Sequence, residues 1–413
     1  MRELVAAVRR GDVEEVTALL ESGADPETLE DGLPLLCLAV AAYDEPVAEA
    51  LLKAGADPMR PLPDGSTPLA RAVDGGSHML TYALATSRIP LSAPARADVP
   101  ARARRWAEAG AEAELRRVTG LTGPVERVRF EDDEVGWWSE QLTLGPVTVR
   151  DEHWAILTST EARYGIRTPF DELVARALAH PDRNHVVWSE VTSTLGRRTD
   201  EETWQRSRDL LDHPDRTHRL LAADLLLSLI LGDLATGDQP FWERGRELVP
   251  WAEQEEDPQV LAVLLNAMTH DSAPEIEAVG LSHLTHPDPE VRALVPDTLE
   301  RSADGRSQVR PESLATVLTL ARDEDPGVRE AACRWLAHYR GREPEVGDAL
   351  VALTHDETQP VRIEAVSGLA HRDDPRCVEA EHRIGPRDPD QPFDERLMDV
   401  WRYRRRREDA AGS

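Results

Sequence analysis

The chain contains a single lysine, Lys53, and its other basic residues are all arginine. G+C-rich coding accounts for that bias without any chemistry specific to arginine. Three cysteines, Cys37, Cys333 and Cys377, are too few and too irregularly spaced for a thiolate metal set or a disulfide framework, and they suit a reducing compartment. Aromatic residues make up only 5% of the 413 positions. No apolar run is long enough to cross a bilayer. The greasiest stretch, LLAADLLLSLILGDL from Leu220, is short and carries Asp224, so it reads as a buried helix. The first residues, MRELVAAVRRGD, include Glu3 and Asp12 and show neither an apolar centre nor a small-residue cleavage site, so they do not read as a secretory leader. No membrane partner is expected, and the cytoplasm is the expected compartment. Missing too are a glycine-rich phosphate loop, a G-x-S-x-G elbow and an HExxH pair.

Positive charge is also scarce, with 77 acidic residues against 48 basic ones and a net charge of −29. Affinity for a phosphate backbone comes largely from Lys and Arg displacing counterions, so nucleic acid is a disfavoured partner. An acidic surface keeps a protein soluble and attracts basic partners. At this length two or three domains are expected.

What the chain does have is repetition. ALLESGADP begins at Ala18 and ALLKAGADP at Ala50, 32 residues later. Val13, Val16, Leu19 and Leu20 form one apolar helical stripe, which Gly23 stops in the left-handed cap position. The Asp31-Gly32 and Asp64-Gly65 pairs are 33 apart, and after each comes a proline, Pro34 or Pro68, at a helix start. Gly11 and Gly76 stand where the chain turns between helices, while Tyr43 fills that place in the second unit. This pattern over residues 1–90 resembles the ankyrin repeat, a turn plus two antiparallel helices. Thr67, Pro68 and Leu69 match the family's threonine-proline-leucine start. Leu33 replaces that threonine in the other copy, and the usual histidine is replaced by Leu36 and Ala70. The resemblance implies a recognition surface rather than chemistry.

Residues 91–150 follow a different pattern. Pro90, Pro94 and Pro100 break the helical rhythm, and ARARRWAEAGAEAELRRVTG then reads as one helix. QLTLGPVTV alternates around Gly145-Pro146, and VERVRF from Val125 is a strand that can pair with it, giving a small β-hairpin. Between them lie four acids at 131–134 and then Trp137 and Trp138. Either the two indoles cap the apolar end of a helical stack, or they anchor a cationic ligand beside the carboxylates. The spaced ligands of a calcium loop are absent.

From Asp151 onwards a second refrain appears in HPDPEVRALVPDTL, DEDPGVREAACRWL and ETQPVRIEAVSGL. Val260, Val291, Val328 and Val361 align at steps of 31, 37 and 33. Asp257, Asp288 and Asp325 each precede a proline, the signature of an N-cap followed by proline at the first helical position. Residues four and eight after each valine form one buried face. This resembles HEAT repeats, in particular the short bacterial kind also found in phycobilin lyases, over residues 151–395. The resemblance implies that Arg292, Arg329 and Arg362 join a ladder of Asp–Arg pairs between neighbouring units. Leu261 stands where the arginine of that repeat would be.

HEAT-like folds also host enzymes. One alternative is therefore a metal-dependent hydroxylase, whose resemblance would demand His-Glu pairs at matching positions. The chain offers His270-Asp271, His355-Asp356 and Glu381-His382 instead. The His-Pro-Asp copies at His180, His213 and His286 suit turns better than ligation. The other alternative is a DNA-glycosylase-like enzyme with a basic groove. No catalytic residue, metal ligand or cofactor is assigned, and no signal fixes an oligomeric state. In the second array Trp335 lies seven residues after its valine, with Tyr339 four further on. This pair either fills a cavity beside Gly368 or forms an aromatic anchor for a bound peptide. Arg402 and Arg404, Arg405, Arg406 and Arg407 either bind an anionic partner, with Trp401 and Tyr403 stacking, or complement their own helix end and the acidic array. The expected protein is an all-α tandem α-solenoid, ankyrin repeats (1–90), connecting segment (91–150) and HEAT-like repeats (151–413). Its expected role is a cytoplasmic bacterial scaffold for a protein or peptide partner.

Overall fold

A computed structural model describes every residue except 1, 133–135, 237–240, 272, 300–309, 342, 387–394 and 412–413. The chain is all-α, with helix pairs in tandem and one three-stranded sheet apart from a two-residue ladder. It divides into two compact units, Met1–Leu195 and Gly196–Ser413. Helix Phe170–Leu178 and all of helix Val186–Gly196 but its last residue fall in the first unit.

The first unit begins with three helix pairs, Arg2–Arg10 with Val13–Glu21, Leu35–Ala41 with Glu45–Ala54, and Pro68–Asp74 with His78–Ala85. The second helix of each pair is capped by Asp12, Asp44 or Ser77, whose side chain accepts the N–H three residues on. Immediately before each cap the backbone turns left-handed, at Gly11 (φ 69°), Tyr43 (φ 56°) and Gly76 (φ 69°). Gly76 is required twice over, since a Cβ there would lie 2.0 Å from the Arg150 carbonyl oxygen. Tyr43 carries a side chain in a conformation that costs a non-glycine residue about 1 kcal/mol or more.

Pro90 lies in the break between helices His78–Ala85 and Ala93–Ala109, but Pro94 and Pro100 do not break the helix as expected. Ala93–Ala109 runs straight through Pro100, and Pro94 lies in its first turn, where a missing N–H costs nothing. The buried face of Ala95, Val99, Ala103 and Trp106 sets the helix against the core and offsets the bond lost at Pro100. The helix expected to continue to Thr119 instead breaks at Gly110 (φ 83°). Strands Glu126–Asp132, Trp137–Leu144 and Val147–Arg150 form the antiparallel sheet, with Phe130 opposite Ser139 and Glu131 opposite Trp138. One apolar core then joins the helix pairs to Leu91, Val99, Ile156 and Leu157.

In the second unit the aligned valines 260, 291, 328 and 361 are buried, together with Leu264, Met268, Val295, Leu299, Ala332, Leu336, Ala365 and Leu369. Asp257, Asp288 and Asp325 cap their helices as the spacing predicts. Arg292 and Arg329 make the same set of bonds, and Arg362 departs from the expected Asp–Arg pairing because a carbonyl takes the place of the carboxylate. Arg292 donates to both carboxylate oxygens of Asp323 (2.8 Å each) and to the carbonyls of His286 and Pro287. Arg329 does the same with Asp356, Asp323 O and Glu324 O. Arg362 keeps its two local carbonyls and reaches Ile384 O. A fourth member that sequence reading missed is Arg219, bidentate to Glu255. The greasy stretch from Leu220 lies in helix Arg216–Thr236, and no helix among the described residues is long and apolar enough to cross a membrane.

Candidate functional site

Trp335 and Tyr339 are core residues, which corrects the reading of them as a surface anchor. The Trp335 side chain has no exposed area, and its ring stacks on Tyr339 at 5.1 Å and 13°. The indole N–H lies 3.4 Å from Leu299 O, and the Tyr339 hydroxyl donates to Glu343. The helix that carries Trp335 has neighbouring helices on both flanks of its apolar stripe, so a position beside the stripe is covered as well. Gly368 makes room for Ala337, whose Cβ would be 2.7 Å from a Cβ at 368.

The terminal arginines lie on helix Asp399–Ala411 and are exposed. Arg402 pairs with Asp399 at 2.7 Å and Arg404 with Glu381 at 2.6 Å. Arg405 covers the Trp401 ring, and Arg406 reaches Ala370 O and Asp373. Arg407 lies beyond them on the same helix. Tyr403 is buried, so it cannot stack on a ligand base. The carboxylates of the His-acid pairs are engaged too. Asp271 holds Arg246, Asp356 holds Arg329, and Glu381 holds Arg404.

Trp137 and Trp138 are half-buried in the first unit, where they line a cavity of about 260 Å³. Trp137 packs against Ala155, Val186 and Val187, and in this respect it closes an apolar cluster. The Trp138 backbone N–H donates to Asn184 O at 2.9 Å, and its ring meets His185 edge-on. Its indole N–H is buried without a hydrogen-bond partner among the described residues. Arg129 covers one face of that ring at 4.4 Å. Of the four acids expected beside the indoles, Glu131 and Asp132 lie on the first strand and Asp132 lines the cavity. Asp133 and Glu134 fall outside the described residues.

The floor of this cavity was not foreseen. Arg150 ends the third strand and is 9% exposed, its guanidinium 3.5 Å from the Phe130 ring centroid and 4.4 Å from that of Tyr43. The left-handed turn at Tyr43 is what presents the phenol there, and its hydroxyl lies 2.7 Å from Gly75 O and 3.1 Å from Thr148 O. The Arg150 N–H donates to the same Gly75 carbonyl. Glu152 lies beside it, buried, accepting from the His78 N–H at 2.7 Å and the Ser139 hydroxyl at 2.6 Å. Burial lowers the Arg150 pKa and raises that of Glu152. The walls are therefore aromatic (Tyr43, Phe130, Trp137 and Trp138), and Glu45 and Asp132 lie among the lining. Such a pocket suits a flat or cationic group that can stack on π faces.

A second polar cluster lies nearby. Asp151, His180 and His185 bring one ligand atom each within 4.8 Å of one another. His180 is one of the His-Pro-Asp residues, and sequence reading gave it a turn role. That role holds at His213 and His286, whose Nδ1 accepts the Asp215 or Asp288 N–H. The cluster does not have the geometry of a coordination sphere. The two imidazoles stack at 4.1 Å and 11°, so their lone pairs lie in separate, nearly parallel planes and do not converge on one ion. The His185 Nδ1 accepts the Val187 N–H, which leaves the ring proton on Nε2, facing Asp151 at 3.4 Å. A ligating histidine needs the reverse arrangement.

Residues 305–370 match the family model of HEAT repeats. Three similar solved structures are an Escherichia coli protein, YibA, an engineered protein, and the Pds5–Scc1 complex. YibA is 15% identical, with a TM-score of 0.42, over 55% of this chain and 77% of that one. The engineered protein is 16% identical, with a TM-score of 0.35, over 92% and 77%. The Pds5–Scc1 match is 13% identical, with a TM-score of 0.33, over 94% and 62%. No curated protein matches at a significant level.

Proposed function

We propose that the chain is a protein-interaction scaffold, built of an ankyrin-type array and a HEAT-type array, whose first unit holds a basic peptide segment of a partner. The observation that carries this reading is the cavity of Tyr43, Phe130, Trp137 and Trp138 with Glu45 and Asp132 in its lining. A partner's Arg or Lys side chain would stack on the indole faces that Arg129 leaves uncovered; Glu45 and Asp132, which also act on Arg150, would add attraction, and the net charge of −29 would speed its approach. The half-buried state of both indoles suits this role, since an anchor pocket must be preformed and partly desolvated.

The test is titration calorimetry of the full chain against Arg-rich and Asp-rich peptides of equal length. The Arg-rich peptide should bind, and Trp137→Ala and Trp138→Ala should each weaken it roughly 10- to 30-fold, the range of an interface hot spot. Equal affinity for both peptides, or full affinity in both variants, would overturn the reading.

A further inference from the structure

Most arginines of the first unit hold a carboxylate. Arg102 pairs with Asp74, Arg104 with Glu161, Arg117 with Glu114, and Arg176 with Glu161 and Glu172. Three do not. Arg88, Arg96 and Arg163 have no carboxylate partner among the described residues, in a chain where acids outnumber bases 77 to 48. All three line one cleft of about 640 Å³, and no acidic residue lines it. They reach it from separate elements. Arg88 follows helix His78–Ala85, Arg96 is the fourth residue of helix Ala93–Ala109, and Arg163 ends helix His153–Arg163.

Local structure explains one of the three. A cation in the last turn of a helix, as at Arg163, offsets the carbonyl ends. Arg96 is the opposite case, a cation in the first turn, where the helix favours an anion. Its Nε donates to Leu91 O at 3.2 Å, and Arg163 has only the face of Tyr82 at 5.6 Å. Two hydroxyls of the lining, Ser87 Oγ and Tyr164 OH, are buried without hydrogen-bond partners among the described residues. Arg163 and Arg96 are the two charges that act on that Tyr164 hydroxyl. Like charges gathered without counter-charge destabilise a fold unless something neutralises them. Ile89, Pro90 and Leu91 give the same cleft an apolar wall, and its volume falls within the range of small-molecule sites.

We propose that this cleft binds a small phosphoryl-bearing ligand, with Arg88, Arg96 and Arg163 gripping the phosphoryl oxygens and the Ile89–Leu91 wall covering the remainder. Planar guanidinium forks match phosphoryl oxygens in pairs, which makes arginine the better residue for this task.

The experiment is calorimetry of the full chain with inorganic pyrophosphate at fixed ionic strength, repeated with Arg96→Ala, Arg163→Ala and the triple change to lysine. Saturable one-to-one binding, weakened at least 10-fold by either alanine and partly retained by the lysines, is expected. Melting temperatures should not fall below the parent value, because all three side chains are exposed and the alanine changes remove like charge. No saturable binding, or equal affinity in the alanine variants, would overturn the proposal. A phosphoserine peptide binding more tightly than pyrophosphate through the same arginines would keep the phosphoryl chemistry but place it on a peptide, which overturns the small-molecule assignment. Trp137→Ala should leave pyrophosphate affinity unchanged, so this site and the basic-peptide site can fail separately.

Discussion

Arg219, Arg292 and Arg329 in the second unit and Arg150 and Arg176 in the first are all largely covered, yet they are held by different means. In the second unit each of these three arginines ties two carbonyls of its own turn and a carboxylate of the next repeat, so one local rule places all three. In the first unit Arg176 is wedged among Glu161, Glu172 and Thr158, and Arg150 lies between two rings. Nine buried side-chain polar atoms in the first unit have no hydrogen-bond partner among the described residues, against three in the second. Buried polar groups are normally paired, so that imbalance marks the first unit as the place where chemistry other than stacking has been accommodated. Regular repetition gives stability, and departures from it make sites.

The largest expected effect tests whether the aromatic pair of the second unit belongs to stability alone. Trp335→Ala removes a fully buried indole from the core that includes Leu299, Leu336 and Tyr339. It should cost about 3–5 kcal/mol of unfolding free energy. Chemical denaturation read by hydrogen exchange should place that loss in residues 196–413, and affinity for the Arg-rich peptide should not change. Lost affinity with an unchanged denaturation midpoint would break the contrast between the units and restore Trp335 as an anchor.

Acid should separate the units next. Burial lowers His78, His153 and His180 of the first unit to about 4. Their folded pKa lies below the unfolded value near 6.5, so the unfolded chain binds more protons in between. The stability these groups contribute is complete above about pH 6.5 and is lost as the pH falls towards 4. At full effect each loses on the order of 3 kcal/mol. Glu152, raised by burial, works the other way, as one group against three. In the second unit His270 and His283 are also lowered by burial, and they are less deeply covered. Hydrogen exchange at pH 7, 5.5 and 4.5 should therefore show the first unit opening at higher pH than the second. The reverse order would mean that the buried histidines do not govern acid unfolding.

What could be read in the sequence follows the same division. Caps at Asp257, Asp288 and Asp325, the buried valines and the ladder arginines were legible because stacking repeats its demands at every unit. The turn at Tyr43 was legible as an oddity, a tyrosine in a glycine position, but not as the wall of a cavity. Arg150 and Glu152 were not legible, since the residues they meet (Tyr43, His78, Phe130 and Ser139) are scattered along the chain without period. The arginine cleft was hidden for the same reason, with contributors at 88, 96 and 163. Pro100 misled because tertiary packing of Val99, Ala103 and Trp106 outweighs a single lost backbone bond.

The smallest expected effect concerns the gap in the ladder. Counting from each N-cap, the arginine lies four residues on, as at Arg219 after Asp215, Arg292 after Asp288, Arg329 after Asp325 and Arg362 after Thr358. Its carboxylate partner lies two residues before the next N-cap, as at Glu255, Asp323 and Asp356. These acids also accept the N–H of the capping residue, at 2.9 Å each. Leu261 takes the arginine position after Asp257, and the acceptor position before Asp288 is His286. His286 keeps the second duty through Nδ1 at 3.1 Å and has no arginine to receive. The two departures therefore fit one another. Leu261→Arg alone should destabilise, because a covered charge would face an imidazole instead of a carboxylate. His286→Asp alone should be nearly neutral, since aspartate can accept the same N–H. Together they should recover much of the first loss, with a coupling of about 1–2 kcal/mol in a double-mutant cycle and a net change near zero. Strict additivity of the two substitutions would show that the ladder is a by-product of helix packing and not an interaction that selects its own partners.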